Sequence, residues 1–126
     1  MENAAVTLWL WCAVGAAGGC GAVARFVLDA GVGDRFGRGF PLGTFAVNLT
    51  GAFLLGVLSG ARLAPEALLV AGTATVGSYT TFSTWMLESQ RLAEDGGARA
   101  LAANLIVSLA GGVLAAALGR AIGGQL

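Results

Sequence analysis

The sequence contains no lysine and no histidine, and it has few charged residues of any kind. Its 7 basic residues are all arginine and balance 7 acidic residues, so charged residues make up 11% of the 126-residue chain. A typical soluble domain carries about 25% charged residues. Because the chain is neutral overall and has no basic run, we expect no nucleic-acid partner.

Other absences limit the chemistry that the chain can perform. Without histidine, and with no cysteine or acidic cluster at ligand spacing, the sequence offers no transition-metal site. Cys12 and Cys20 lie about 12 Å apart along one helix, which is too far for a mutual disulfide. Neither cysteine has a base partner, and no G-x-S-x-G motif is present. We therefore predict that the protein is not an enzyme.

What the sequence has in abundance is uncharged hydrophobic stretches. Four windows contain no charged residue: 4–24, 42–61, 67–87 and 100–119. Each is about 20 residues long, which is the length needed to cross roughly 30 Å of hydrocarbon as a helix. Four such helices in a soluble bundle would leave almost no polar face for water. The sequence therefore predicts an all-α membrane protein embedded in a lipid bilayer.

We interpret the whole chain, residues 1–126, as a single four-helix transmembrane domain. The first window has no basic residue before it, so we interpret it as a retained span and not a signal peptide. The segment from Asp29 to Pro41 is polar and contains several glycines, which predicts a turn-rich loop. The predicted spans are approximately 4–28, 42–61, 66–92 and 99–120.

The arginines give a small bias in orientation. With an even number of spans, both termini share one side of the membrane together with Arg62 and Arg120. The other five arginines fall on the opposite side or near its edge: Arg25, Arg35, Arg38, Arg91 and Arg99. The positive-inside rule then favours termini outside the cell.

Glycine is unusually frequent, with 21 residues in the chain. Small residues four apart let the backbones of membrane helices approach closely. Gly15 with Gly19 in the first span and Gly119 with Gly123 in the last fit this pattern. Since four short helices have little interior of their own, we also expect an oligomer. Further glycines expected at close contacts are Gly51, Gly56, Gly111 and Gly112.

The third span is rich in hydroxyl groups, because 8 of the 21 residues from 67 to 87 carry one. Gly77 to Thr81, near the middle of the span, combines a poor helix former with adjacent threonines. This predicts a helix broken near the bilayer midplane, with freed carbonyls that a bound cation could satisfy. A continuous helix whose hydroxyls bond back to their own carbonyls is the alternative.

Polar residues also follow helical spacing on three spans. The groups are Thr44 with Asn48, Asn104 with Ser108, and Thr81 with Thr84 and Glu88. Any one of these groups could simply hold helices together by hydrogen bonds. Their presence on three spans favours a polar pathway through the membrane. Hydroxyls, amides and the positive edges of aromatic rings suit an anion. The lack of an acidic residue at mid-depth disfavours a proton-coupled antiporter.

Two stretches resemble the signature sequences of the CrcB/Fluc fluoride channels. They are Gly43-Thr-Phe-Ala-Val-Asn-Leu-Thr-Gly51 and Gly77-Ser-Tyr-Thr-Thr-Phe-Ser-Thr84. Gly21-Ala-Val-Ala-Arg25 in the first span is similar to a third signature. The resemblance implies an antiparallel, dual-topology dimer in the inner or plasma membrane of a prokaryote. Its activity would be passive export of cytoplasmic fluoride, which confers fluoride resistance.

The resemblance also implies roles for individual residues. A central structural sodium ion would be held by the backbone carbonyls of Gly77 and Thr80 from both subunits. Asn48 would donate to fluoride, and Phe82 would line the pore with its ring edge. Trp85 stands where the family usually has a second Phe, and Arg25 would lie near the vestibule. The polar track and its approaches would include Thr44, Ser83, Thr84, Glu88 and Ser108.

Some alternatives remain open at this point. Ser78 replaces a usual Gly beside the sodium site, and Asn104 stands where many members have Tyr. The arginine bias could fix one orientation and require an oppositely inserted paralogue, giving a heterodimer instead of a homodimer. A small multidrug-type exporter shares the four-span plan but needs a carboxylate in its first span, which 4–24 lacks. If Trp85 blocks the pore, the subunit would not conduct.

Overall fold

The computed structural model describes residues 2–37 and 39–126, so Arg38, which entered the charge comparison, lies outside the described residues. All regular structure within these two ranges is helical, and they contain no strand. The elements are α1 (Glu2–Phe36), α2 (Leu42–Gly60), α3 (Pro65–Ala67), a π-helical segment (Leu68–Val76), α4 (Gly77–Tyr79), α5 (Ser83–Glu94) and α6 (Ala98–Gly123).

Three of the helices are long and apolar enough to cross a membrane. They are α1 from Val6 onward, α2 and α6. This confirms the all-helical prediction for the described residues and gives three candidate membrane spans. The predicted span at 66–92 forms no single long helix, because it is divided among α3, the π-helical segment, α4 and α5. The count of four membrane spans therefore stays a prediction.

The predicted loop from Asp29 to Pro41 was largely wrong, since α1 continues to Phe36. Glycine inside a helix costs only about 1 kcal/mol relative to alanine, and packing outweighs that cost here. Asp29 lies directly against Gly43 at the start of α2, where a Cβ would overlap its carboxylate. The helix ends at Phe36, and the next residue, Gly37, has a φ of 81°, the left-handed conformation that glycine favours after a helix.

The most extensive helix contact joins α2 to α6 and depends on glycines of both helices. A Cβ at Gly56 of α2 would overlap the Ala116 carbonyl of α6. In return, a Cβ at Gly119 would overlap the Phe53 carbonyl, and one at Gly123 the Val57 carbonyl. The prediction of close contact at Gly56, Gly119 and Gly123 is therefore confirmed, and the backbones of α2 and α6 touch directly.

The glycines of α1 behave differently from those of α6. A Cβ at Gly15 or Gly19 would meet nothing within 4 Å, so these two face away from the rest of the subunit. A Cβ at Gly21 would instead overlap the Thr75 carbonyl in the π-helical segment. This close approach places α1 beside the first half of the divided third region, with Arg25 one turn further along.

The predicted helix break is present and lies between α4 and α5. Gly77 itself is helical, with φ −62° and ψ −38°, whereas Thr80 is extended, with ψ 160°. The hydroxyls of Thr75 and Thr80 do bond back to the Val70 and Val76 carbonyls, at 2.8 and 3.1 Å. Back-bonding and the break therefore occur together, and the π-helical segment was not predicted. The depth of the break in the bilayer stays a prediction.

Candidate functional site

The break is held by one amide side chain from α2. Asn48 Nδ2 donates to the Thr81 carbonyl at 2.8 Å, and Asn48 Oδ1 accepts from the Thr81 backbone N–H at 2.8 Å. Both backbone groups of Thr81 are thus satisfied from another helix, so the chain can leave helical geometry without leaving polar groups unpaired. The amide retains one further N–H, which is available to a ligand.

This arrangement determines which carbonyls are left over. In a continuous α-helix, the Thr81 N–H would bond to the Gly77 carbonyl and the Thr84 N–H to the Thr80 carbonyl. Here Asn48 takes the first of these donors, and the Thr81 hydroxyl takes the second at 3.2 Å. The Gly77 and Thr80 carbonyls are therefore deprived of their helical partners.

Two long contacts replace those partners. The Thr80 hydroxyl approaches the Gly77 carbonyl at 3.5 Å, and Arg25 Nη1 donates to the Thr80 carbonyl at 3.4 Å. Both distances are longer than an ordinary hydrogen bond of about 2.9 Å. The two carbonyls that the resemblance assigns to sodium are thus underused acceptors, and Thr80 is extended, as are the unwound residues whose carbonyls coordinate sodium in membrane proteins.

Close contact with α2 fixes the residues just before the break. Gly51 lies against the Thr80 methyl group, and a Cβ there would overlap it. The Tyr79 hydroxyl is 2.7 Å from the Thr50 hydroxyl, which also donates to the Ala46 carbonyl. Glycine at position 51 is therefore needed for space, and Asn48 and Gly51 together form the support for the break, whereas the Thr50 contact lies on the exposed side.

A groove of about 570 Å³ runs along one side of the break. Phe82 is 72% exposed at its edge, and the Phe82 and Trp85 rings are 5.8 Å apart at an angle of 57°. In a single subunit, this exposed aromatic ring and the weakly paired carbonyls beside it are not covered by other protein groups. The predicted site residues that line the groove are Asn48, Gly77, Thr80, Phe82, Trp85 and Ser108.

A buried polar network joins α5 to α6 beside the groove. Asn104, which is 1% exposed, donates from Nδ2 to the Ser89 hydroxyl at 2.9 Å, and Ser89 donates to the Trp85 carbonyl at 2.7 Å. Ser108 approaches Asn104 Oδ1 at 3.4 Å. Sequence reasoning missed Ser89, although its place four residues after Trp85 was a usable signal.

A second, smaller cavity of about 200 Å³ lies on the other side of Thr81, between α1, α2 and α5. Arg25, Thr44 and Thr84 line it together with Asp29. Thr44 is 1% exposed. The predicted vestibule arginine and two polar-track threonines are thus brought together, and Thr81 borders both this cavity and the groove.

Glu88 extends this line of polar residues toward one end of the subunit. Its side chain lies beside the Thr44 hydroxyl and close to Asp29 and Arg91. A cavity of about 210 Å³ contains Glu88, Asp29 and Arg91. Thr81 borders the groove and the smaller cavity, and Asp29 borders the smaller cavity and the one that contains Glu88, so the groove, Thr81, Thr44 and Glu88 follow one another as a row of polar residues from the break toward the helix ends.

Ser83 lies outside both the groove and the smaller cavity. It is exposed, and it lines an open cavity between α5 and α6 with Met86 and Leu105. Its link to the rest is a long contact of 3.5 Å with the Thr81 hydroxyl. Phe82 lines both this cavity and the groove, so Ser83 adjoins the other predicted residues through Phe82.

Comparison with known proteins agrees with the signature stretches. Residues 12–120 match the family model described as "CrcB-like protein, Camphor Resistance (CrcB)". The chain is 55% identical over 114 residues to "Fluoride-specific ion channel FluC 2" of Mycolicibacterium paratuberculosis, covering 90% of this chain and 93% of that protein.

More distant relatives carry similar names. "Fluoride-specific ion channel FluC 2" of Mycobacterium tuberculosis is 51% identical, with 94% of each chain covered. "Fluoride-specific ion channel FluC 1" of Symbiobacterium thermophilum is 45% identical, covering 90% of this chain and 96% of that protein. The similarity thus extends over nearly the whole length of each chain, and these relatives are named as ion channels and not as enzymes.

Proposed function

The chain belongs to the CrcB family, and on that basis we propose that it is a passive, fluoride-selective channel that exports cytoplasmic fluoride. The observation that carries this is the break held by Asn48, beside a groove that exposes Phe82 and polar groups. Its relatives are named fluoride-specific ion channels. Fluoride would pass along the row from the groove through Thr81 and Thr44 to Glu88, with Arg25 in the adjoining cavity.

The chemistry of this row suits a small, strongly hydrated anion. A narrow path must replace the water around fluoride with hydrogen-bond donors and positive ring edges. The remaining Asn48 N–H, the threonine hydroxyls and the Phe82 edge are groups of these kinds. We take conduction to be passive, because the carboxylate on this path, Glu88, lies at its far end and not at the break.

The first test of this function is growth of cells in fluoride. A bacterium without its own fluoride exporter should grow at millimolar fluoride when it expresses this chain, and it should fail when it carries an empty vector. Fluoride enters as the neutral acid, ionises in the cytoplasm and must leave as the anion. No difference in growth between the two strains, with the protein present in the membrane, would argue against export.

We further propose that a structural sodium ion binds the Gly77 and Thr80 carbonyls of two subunits. These two carbonyls lack their helical donors, so the residues fit a hard cation that takes oxygen ligands. The sodium ion would balance the partial negative charge of these carbonyl oxygens. It would also hold the helix breaks of the two subunits against each other. The other side chains of the groove would then be arranged around a fixed centre.

Removal of sodium is expected to weaken the dimer. A ligand present at 100 times its dissociation constant stabilises its bound state about 100-fold, so exchange of sodium for N-methylglucamine should shift the dimer toward monomer by about that factor. Size-exclusion chromatography over a protein dilution series measures this shift, with lithium and potassium salts as controls for ionic strength. A dimer equally stable in all four salts would contradict the sodium site.

The groove is also the surface on which we place the partner subunit. Phe82 is exposed there beside Gly77 and Thr80, and an antiparallel homodimer would cover this surface on both copies. Such a dimer would have two equivalent fluoride paths. In each subunit, residues 66–92 would form the fourth membrane span. The protein would then be a dual-topology protein of the bacterial inner or plasma membrane.

The alternative to the homodimer is a heterodimer with an oppositely oriented paralogue, and two observations favour it. Relatives carry the numbers 1 and 2 in their names, and the arginines of this chain are unevenly distributed. A single engineered cysteine at either terminus, with Cys12 and Cys20 replaced by alanine, reports the orientation by labelling from each side. Equal labelling from both sides supports the homodimer, and labelling from one side supports the heterodimer.

A further inference from the structure

Asp29 places a negative charge on the path that we propose for fluoride. It lies on α1, four residues after Arg25, and it is half-buried. It lines the smaller cavity between α1, α2 and α5, and it also lines the cavity that contains Glu88. An anion that moves from one of these cavities to the other therefore passes the Asp29 carboxylate.

The carboxylate is held in this place by the start of α2. A Cβ at Gly43, in the first turn of α2, would overlap Asp29 Oδ1 and would lie only 2.8 Å from the Asp29 carbonyl oxygen. The amino-terminal end of a helix attracts negative charge. The absence of a side chain at Gly43 thus lets the carboxylate approach a helix end that attracts it.

A buried hydroxyl group beside Asp29 is suited to an ion in the smaller cavity. Thr44 is 1% exposed and lines this cavity together with Asp29. Its hydroxyl lies close to Glu88 but has no hydrogen-bond partner of good geometry among the described residues. Buried polar atoms are nearly always paired, so this hydroxyl is a group that a passing anion would use.

The charges on the far side of Asp29 oppose an anion. Glu88 lies close to Asp29 and borders the same cavity. Asp95 adds a third carboxylate, whereas the basic side chain among the described residues that line this cavity is that of Arg91. Charges of one sign along a cleft concentrate ions of the opposite sign and repel ions of their own. Fluoride therefore meets repulsion where it passes from the Thr44 hydroxyl toward Glu88.

We propose that Asp29 is an electrostatic barrier that limits the rate at which fluoride passes this end of its path. This rests on the proposed function and names a residue that sets its rate without binding the ion. The barrier acts on charge and not on size, so selection against chloride does not depend on it. Removal of the charge should therefore raise fluoride flux, whereas loss of a merely structural residue would lower it.

Asp29→Asn removes the charge and keeps the shape of the side chain. We expect fluoride efflux from liposomes to rise about 3- to 10-fold at an ionic strength of about 10 mM. At about 1 M the Debye length falls from about 30 Å to about 3 Å, so the difference from the wild-type chain should shrink. N-methylglucamine glutamate sets the ionic strength, while sodium and fluoride are held constant. Chloride efflux should stay at the level of empty liposomes throughout.

Asp34→Asn is the matched control. Asp34 is exposed, lies five residues further along α1 and lines neither of the two cavities. The same change in net charge at this position should leave efflux within about twofold of wild type. Asp29→Glu keeps the charge and should also conduct within about twofold of wild type.

Chemical modification gives a second readout within one folded variant. Asp29→Cys, in a chain with Cys12 and Cys20 replaced by alanine, can be labelled in liposomes with methanethiosulfonate reagents. The ethyltrimethylammonium and ethylsulfonate reagents add groups of similar size and opposite charge. Efflux after the positive reagent should exceed efflux after the negative reagent by about tenfold.

The outcomes separate this inference from the proposed function. Wild-type efflux with equal or slower efflux from a folded Asp29→Asn dimer overturns the barrier alone. An equal rise in Asp34→Asn also overturns it, because the effect would then come from the net charge of the subunit. If Asp29→Asn gives no folded dimer, equal efflux after the two reagents overturns the barrier. Absence of fluoride efflux from the wild-type chain and every variant overturns fluoride transport and the barrier together.

Discussion

Replacement of Asn48 by leucine is expected to abolish fluoride conduction and sodium dependence together. Leucine is similar in size but can neither accept from the Thr81 N–H nor donate to its carbonyl. Each unpaired buried group costs about 1–3 kcal/mol, so the break becomes unfavourable and the Thr81 N–H returns to the Gly77 carbonyl. Fluoride efflux from liposomes should fall roughly 100-fold or more.

The same helix supplies a matched control. Thr50→Val removes the hydrogen bond to the Tyr79 hydroxyl beside the break but leaves both Asn48 bonds in place. Because Thr50 is exposed, loss of this hydrogen bond costs little, and we expect fluoride efflux to change by less than about threefold. If Asn48→Leu loses fluoride flux but keeps a dimer that depends on sodium, Asn48 acts on fluoride alone and does not hold the break.

The double substitution of Gly119 and Gly123 by alanine is expected to prevent folding of the subunit. Each new Cβ would overlap a backbone carbonyl of α2, at Phe53 or Val57, and backbone cannot swing aside as a side chain can. Overpacking of this kind costs about 1–3 kcal/mol for each site. The yield of monodisperse protein and its heat resistance in detergent measure the loss.

Gly15 and Gly19 provide the control for helix propensity. They have the same spacing as Gly119 and Gly123, but a Cβ at either meets nothing within 4 Å inside the subunit. Changing both to alanine should leave the fold intact and gain about 1 kcal/mol of helix propensity for each residue. If the Gly119 and Gly123 variant is as stable as this control, direct contact of the α2 and α6 backbones is not needed.

These two pairs show the limit of spacing as a signal. Both fit the same small-residue pattern in the sequence, yet only Gly119 and Gly123 lie against another helix of the subunit. Spacing gives the face that a residue occupies on its own helix. Which helix lies opposite depends on the tertiary arrangement, and the face of α1 with Gly15 and Gly19 has no partner within one subunit.

The break illustrates what the sequence predicts well and what it cannot predict. Glycine and adjacent threonines predicted a weak helix at 77–81, and the break falls at 80–82. Its exact place is set by Asn48, which is 33 residues away and captures the backbone of Thr81. Local propensity therefore identifies the region, whereas a long-range side chain selects the residue.

The extent of α1 and the role of Ser89 were missed for similar reasons. Polar and glycine residues after Asp29 suggested a loop, but packing against Gly43 extends the helix to Phe36. Ser89 became visible only when the structure placed Asn104 of α6 beside it. By contrast, helical spacing grouped some of the groove residues in the sequence, and the resemblance to the fluoride-channel signatures supplied their expected roles.

The central claim is that this chain alone conducts fluoride passively and selectively. The most direct measurement is anion efflux from liposomes that contain only the purified chain and a potassium gradient, started by adding valinomycin. The account predicts rapid fluoride loss that depends on valinomycin, with no chloride loss beyond that of empty liposomes. Equal efflux of both anions, fluoride efflux without the ionophore, or no efflux from a folded dimer would contradict it.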